Sequence, residues 1–325
     1  LDIETTCLQP FEGKIRLVQL KIGEDILILD FFKLSDSSCV TIARAIADSR
    51  AIKIGHTLKF EQKWFFYHFG LEIWPVFDTH RASQLIYCGL PNIRHGLWHV
   101  MQRELGITHT SDDYQVSAWG QNELTSEQLE YAAEDVAHLF DLKEKLEAKI
   151  VKFGLQETAR IEFAVIAPEA AVELNGFSLD KSKWNRILEK NEQKRVVLAS
   201  ELHAALPGAY GQLSMFEGAF WDLDSPKQML SSLRILDKTL KDTNNTTLIM
   251  AAGKNPIINK VVDYREVSKR CTSYSGTYIE AINPITGRIH CDFWPFLVSG
   301  RYGIRNPNLG QIPREIEYRE CFIAS

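Results

Sequence analysis

Apolar and polar positions alternate over the opening residues, Leu1-Asp2-Ile3-Glu4-Thr5-Thr6, and this period of two predicts a β-strand with Asp2 and Glu4 on one face. After a turn at Gly13, the apolar positions Ile15, Leu17, Val18, Leu20 and Ile22, then Ile26 to Leu29, predict a hairpin about Gly23-Glu24-Asp25. A helix is expected over 39–49. The run Ala51-Ile52-Lys53-Ile54-Gly55-His56 reads as a short buried strand leading into a helix at 58–69. Asp78-Thr79 opens another helix through Leu90, a further helix lies near 95–105, and Ser126 starts a long amphipathic helix to about Lys152. Strands first, with helices wrapped around them, describe an α/β domain with a mixed sheet.

From about 155 the strand signal disappears. Helical patterns run over 157–174, 181–206, 226–236 and 256–281, interrupted at Asn175-Gly176, Pro207-Gly208 and Asn244-Asn245. Ser225-Pro226 suits an N-cap followed by proline in the first helical position. β-Signals return only at 287–293. The pattern divides the chain into an α/β domain at 1–152 and a mostly α-helical region at 153–325.

Composition adds modest constraints. The chain of 325 residues is 45% apolar and 24% charged, as in ordinary globular proteins, and its length allows about two domains. No stretch approaches the ~20 apolar residues of a membrane span, and no signal peptide opens the chain. The six cysteines are scattered without Cys-x-x-Cys spacing, which fits a reducing cytoplasm better than a disulfide framework or a zinc site. The net charge of −5 is uneven: residues 1–150 carry 22 acids and 15 bases, leaving 20 acids and 22 bases for the rest. The late bases Arg265, Lys269, Arg270, Arg288, Arg301 and Arg305 are compatible with nucleic acid. The chain has no initiating Met and is expected to belong to a longer protein.

Candidate chemistry begins on the first strand. Two like charges side by side destabilise a strand unless a cation sits between them, so Asp2 and Glu4 ask for a metal; two solvated acids on an edge strand are the alternative. Tyr131 and Asp135 are four residues apart and share a helix face. Glu61 follows the short strand at 51–56, at the start of a helix, where it either joins a metal or complements the helix N-terminus. His95 and His99 have helical spacing but no third ligand nearby, and read as structural or surface residues. Phe60, Trp64 and Phe65 are core candidates that could also stack an end base.

This order of Asp-x-Glu on a first strand, an acid near 60 and Tyr-x-x-x-Asp on a helix near 130 resembles the ribonuclease-H-like 3′–5′ exonuclease superfamily, in its subclass with four acids and a tyrosine. The resemblance implies two divalent ions, Mg²⁺ or Mn²⁺, about 3.5–4 Å apart. Asp2 would bridge them, Glu4, Glu61 and Asp135 would complete their shells, and Tyr131 would hold the attacking water. Hard ions of this kind want carboxylate oxygens rather than thiolate or imidazole. One departure stands out. The family's second motif has Asn and Asp where this chain has Thr57 and Glu61, and a misplacement of about 1 Å can cost ~100-fold in rate. Asp78 is the runner-up for that acid, with helix capping as its other role.

The second half resembles family A DNA polymerases, the bacterial DNA polymerase I type. The matching stretches include Asp263-Tyr264-Arg265-Glu266-Val267-Ser268-Lys269, Thr286-Gly287-Arg288-Ile289-His290, Ser299-Gly300-Arg301, Asn306-Pro307-Asn308-Leu309 and Arg319-Glu320-Cys321-Phe322-Ile323. In that family they form the thumb and the start of the palm. The resemblance implies Arg265, Lys269, Arg288, His290, Arg301 and Asn308 as DNA contacts to a primer–template, made to phosphates and the minor groove without reading sequence. Leu309-Gly310-Gln311-Ile312-Pro313 and Tyr302-Gly303-Ile304 depart from the family pattern, so some groove contacts are expected to be lost. The chain stops at Ser325, short of the palm aspartates, and polymerisation by these residues is not expected.

Together these readings describe a proofreading 3′–5′ exonuclease. It would act on the single-stranded 3′ end of DNA, as a cytoplasmic, nucleoid-associated monomer of a bacterial or phage-infected cell. The alternatives are a DNA-holding module whose exonuclease is weakened or dead through Glu61, and a ribonuclease-D-like exoribonuclease.

Overall fold

Strand β1 (Asp2–Thr5) turns Ile3 and Thr5 into the core and leaves Asp2 and Glu4 half-buried on its other face. β2 (Ile15–Ile22) is buried on both faces over its first five residues and lies between β1 and β3 (Asp25–Asp30). Both pairings are antiparallel, and the register sets Asp2 opposite Gln19 and Glu4 opposite Leu17. The computed structural model describes residues 1–108, 118–206, 222–253, 255–274, 276–297 and 299–324. Next come α1 (Asp36–Asp48), β4 (Lys53–Gly55), α2 (Lys59–Phe69), β5 (Val76–Asp78), α3 (Thr79–Ile86), α4 (Leu97–Leu105), α5 (Ser126–Ala137), α6 (Leu139–Lys152), α7 (Gln156–Ala164) and α8 (Ile166–Asn175). The later elements are β6 (Ser178–Leu179), α9 (Lys181–Ala205), α10 (Pro226–Leu236), α11 (Asn245–Ala252), α12 (Pro256–Ser273), α13 (Thr277–Glu280), β7 (Asp292–Trp294), β8 (Gly303–Arg305), α14 (Ile316–Arg319) and β9 (Phe322–Ile323).

The free edge of β1 meets β4. The Leu1 nitrogen donates to the Ile54 carbonyl (2.8 Å), and a Cβ at Gly55 would come within 2.8 Å of the Leu1 carbonyl, so only glycine lets the two strands approach this closely. β4 pairs in parallel with β5, Gly55 opposite Asp78. β1 therefore sits between an antiparallel hairpin and a parallel pair, in the mixed sheet expected of a ribonuclease-H-like domain. β5 itself is unannounced by the sequence pattern, since Pro75 immediately precedes a strand of three residues.

The helix expected from Ser126 to Lys152 is two helices. Thr125 and Gln128 form a reciprocal capping box at the start of α5, and the chain leaves helical geometry at His138 (φ −108°, ψ 8°). The break lets each half bury a different face: α5 covers the three-stranded sheet, while α6 sends Leu139, Leu142, Leu146 and Ile150 into the core against α3 and α4. The pattern at 157–174 likewise divides at Val165, because Pro168 cannot donate a backbone hydrogen bond to Ala164. The pattern at 256–281 divides into α12 and α13 at Tyr274–Gly276. The break at Pro207-Gly208 lies outside the described residues.

By packing, the chain forms two compact units, Leu1–Gly176 with Asn283–Gln311, and Phe177–Ile282 with Ile312–Ser325. These bounds differ from the 152/153 division expected from the sequence, for a reason visible in the contacts. α8 packs on α2, where Glu173 takes ion pairs from Lys59 (2.7 Å) and Lys63 (3.0 Å) and accepts from the Phe293 amide (2.7 Å). One buried carboxylate thus ties α2, α8 and β7 together. In the second unit, α9 starts at the Asp180 N-cap and packs along α12 around Leu198, Leu202, Val261 and Tyr264. Trp184 is fully buried there against Tyr278, Tyr318 and Phe322. Among the described residues no helix is long and apolar enough to cross a membrane.

Candidate metal centre

β1 and α5 bring three acids to one point: ligand oxygens of Asp2, Glu4 and Asp135 all lie within 4.8 Å of one another. The strand's alternation puts Asp2 and Glu4 on the same face, and α5 lies over that face with Tyr131 and Asp135 turned inward. Glu61 approaches from the first turn of α2. It is 2% exposed, and its Oε2 is buried without a hydrogen-bond partner. All five residues line one cavity of about 660 Å³, which also includes Thr6 to Leu8, His56, Thr57, Phe60, His80, residues 96–99 and Trp119.

Electrostatics show what the group lacks. Burial pushes the Asp2 carboxyl up to about 6. Burial and then the charge of Asp2 push Asp135 up to about 8, and burial with Asp2, Asp135 and Glu61 pushes Glu4 up to about 10. Glu61 is raised well above the ordinary carboxylate range by burial and then by Asp2. Burial leads in all four, and the charge of Asp2 adds to it at Glu4, Glu61 and Asp135, as a like charge in a low-dielectric site must. A hard divalent cation would reverse every one of these shifts, and the all-oxygen donor set is the kind that Mg²⁺ and Mn²⁺ take. The residues present therefore fit such ions. The Tyr131 hydroxyl is hydrogen-bonded to Asp135, and burial followed by that carboxylate raises the phenol above its ordinary value, so it stays protonated.

The runner-up acid is committed elsewhere. Asp78 accepts from the Arg81 amide (3.0 Å) as the N-cap of α3, and from the Thr57 (3.2 Å) and Leu58 (2.8 Å) amides at the entry to α2. It therefore braces the turn that delivers Glu61. Trp64 and Phe65 are wholly buried in the core, whereas Phe60 lines the cavity. His99 faces the cavity as well, although sequence spacing alone suggests a structural or surface role. His56 and His80 in the cavity wall escape sequence reasoning; the one signal was the place of His56 immediately after a short buried strand.

The six residues expected to contact DNA divide between the units. Arg265 and Lys269 lie on α12 in the second; Arg288, His290, Arg301 and Asn308 lie in the first. Lys269 and Arg301 are exposed. Arg265 is half-buried and donates to the Thr243 carbonyl and hydroxyl, Arg288 donates to the Gly176 carbonyl (3.2 Å), and His290 bonds the Glu173 carbonyl (2.8 Å) and Thr286 hydroxyl (2.7 Å). Asn308 Oδ1 accepts from the Gly310 amide (3.0 Å). Arg265, Arg288 and His290 thus serve the fold directly.

A mixed sheet whose first strand and flanking helix converge on carboxylates is the architecture of the ribonuclease-H-like exonucleases. The known proteins agree: residues 1–151 match the family described as 3′-5′ exonuclease, and residues 197–325 match DNA polymerase family A. DNA polymerase I of Aquifex aeolicus is 28% identical over 97% of this chain and 54% of its own length. Ribonuclease D of Granulibacter bethesdensis is 23% identical over 60% of this chain and 47% of its own. Among solved structures, the POL domain of Pol1 from M. smegmatis, in complex with DNA primer-template and dNTP, shares the fold with a TM-score of 0.75 at 18% identity, covering 99% of this chain and 54% of that one. The chain is thus similar to DNA polymerase I along nearly its whole length, with a match to the 3′-5′ exonuclease family in its first half and to DNA polymerase family A in its second. It spans about half the length of that polymerase relative.

Proposed function

We propose that this chain removes nucleotides from the single-stranded 3′ end of DNA, as a proofreading exonuclease, with Asp2, Glu4, Glu61 and Asp135 holding two divalent ions. The observation that carries the reading is the cluster of mutually repelling carboxyls with the unpartnered Glu61 oxygen among them. Bound there, Mg²⁺ or Mn²⁺ would stabilise charge on the attacking and leaving oxygens of the phosphodiester. Tyr131, protonated and fixed one helical turn from Asp135, orients the attacking water by hydrogen bonding and is not the base. The cavity admits a terminal nucleotide beside Phe60. Of the expected DNA contacts, Lys269 on the second unit and Arg301 on the first are exposed cations, each available to DNA phosphates, in a cytoplasmic setting, with the chain acting as a monomer.

Incubating the chain with 3′-end-labelled single-stranded DNA in Mg²⁺ or Mn²⁺ tests the proposal. Release of labelled mononucleotide, abolished by EDTA, is expected. No product at any metal concentration would leave a DNA-holding module instead. The ribonuclease D relative motivates a second reading, exoribonuclease activity, which a clear preference for an RNA oligomer of the same sequence would favour.

A further inference from the structure

We propose that Trp294, backed by Arg305, is a stacking platform for the strand whose 3′ end enters the carboxylate cavity; this rests on the exonuclease reading above. A run of rings leads out of the cavity. His56 and His80 in its wall are 5.2 Å apart at 83°, and His80 meets Trp294 at 6.0 Å and 75°. Trp294 closes β7 and is 37% exposed, unlike Trp64, Trp119 and Trp184, which are at most 4% exposed. Its partner across the hairpin is Gly303, so no cross-strand side chain covers the indole.

Arg305, two residues along β8, places its guanidinium 5.0 Å from the centre of the indole ring and is itself exposed. The Asp292 opposite it accepts from Asn306 instead (2.9 Å), and Arg305 has no carboxylate partner among the described residues. An exposed indole with an unneutralised guanidinium against it offers what a single strand presents, a base face and a phosphate, without regard to sequence.

The test compares Trp294→Phe, Trp294→Leu and Arg305→Ala with the unaltered chain. The substrates are an oligothymidylate of about twelve nucleotides and, as the short control, the dinucleotide pTpT. Loss of one stacked base should raise KM for the longer substrate by about 5- to 100-fold in Trp294→Leu. The change in pTpT turnover should be under about twofold, and Trp294→Phe should stay close to the unaltered chain. Arg305→Ala should show a smaller loss that fades at high salt. A Leu variant that matches the Phe variant on the longer substrate overturns the platform, because packing alone would then explain the residue. So does an equal loss on both substrates. Should the unaltered chain cleave neither substrate, the exonuclease reading fails separately. Binding of the fluorescent longer oligomer in EDTA then decides: a loss of at least about fivefold in Trp294→Leu, restored in Trp294→Phe, upholds the platform, and any smaller loss overturns it.

Discussion

Stripping the metal from this protein should make its first unit less stable as pH rises, and Asp135→Asn should remove part of that dependence. Burial and the neighbouring Asp2 hold the Asp135 carboxyl at about 8 against an ordinary 3.8, a difference of about four pH units. At 1.36 kcal/mol per unit this is on the order of 5 kcal/mol favouring the protonated form in the fold. A carboxyl raised in this way supports folding while protonated. Its contribution is complete below about pH 4 and is lost as pH climbs through about 8. Asp2, at about 6, adds to the early part of the decline, and Glu4, at about 10, adds throughout, because the fold keeps its proton while the unfolded chain has released it. Divalent ions bind the charged carboxylates, so their effect must grow over the same interval; at a hundred times Kd it reaches about 2.7 kcal/mol. For a unit of this size that is about 5–10 °C in Tm.

The assay is thermal melting at about pH 6, 7 and 8.5, in EDTA and in Mn²⁺ or Mg²⁺. The Tm in EDTA should fall with pH and the gap between the two conditions should widen, while Asp135→Asn melts higher than the unaltered protein in EDTA at the top of the range and gains little from metal. A Tm in EDTA that is flat or rising from about pH 6 to about 8.5 would refute the reasoning, as would a destabilised Asp135→Asn at the alkaline end.

Further outcomes concern single residues. Asp2→Ala should abolish nucleotide release while circular dichroism and melting show an intact fold, and retention of full activity would remove Asp2 from the ligand set. Tyr131→Phe should lower kcat by roughly 100-fold with the metal-induced shift in Tm unchanged, as expected of a misplaced water; loss of the shift would instead make the phenol part of metal binding. In Gly55→Ala the new Cβ would lie 2.8 Å from the Leu1 carbonyl and 2.9 Å from Leu58 Cγ, so denaturant titration should show a loss of about 1–3 kcal/mol together with weakened metal binding. Arg81 is 3% exposed and pairs with Glu169 and, at 3.4 Å, Glu162; Arg81→Ala should cost about 3–5 kcal/mol by stranding those acids, and a neutral result would mean that water replaces it.

The site was more legible than the scaffold around it. Asp2 and Glu4 follow from alternation, and Tyr131 with Asp135 from helical spacing, because both periods are fixed by the backbone alone. That Glu61 turns inward rather than serving the helix end needed the structure, which shows Asp78 bracing that turn. The break at His138 was hidden because apolar spacing continues through it; only the switch of buried face from sheet to helices reveals two elements. β5 was too short for periodicity, and α11 carries little amphipathic signal, since its apolar residues follow Asn244-Asn245 without a polar stripe. A histidine has no period at all, so His56 and His80 became meaningful only when the fold put them in one wall.

Glu173 has a consequence for the order in which the chain can fold during synthesis. Its partners Lys59 and Lys63 are made early, but the Phe293 amide that it also binds emerges over a hundred residues later. The first unit leaves off at Gly176 and resumes at Asn283, two points joined through Arg288, whose carbonyl accepts from the Asn283 amide and whose guanidinium donates to the Gly176 carbonyl. A nascent chain that has just completed α8 therefore holds a buried carboxylate short of one donor, and the acids of β1 rest on a unit not yet closed. Closure waits for β7 and β8, so nuclease competence in a growing chain should arrive only after the intervening helices have been made.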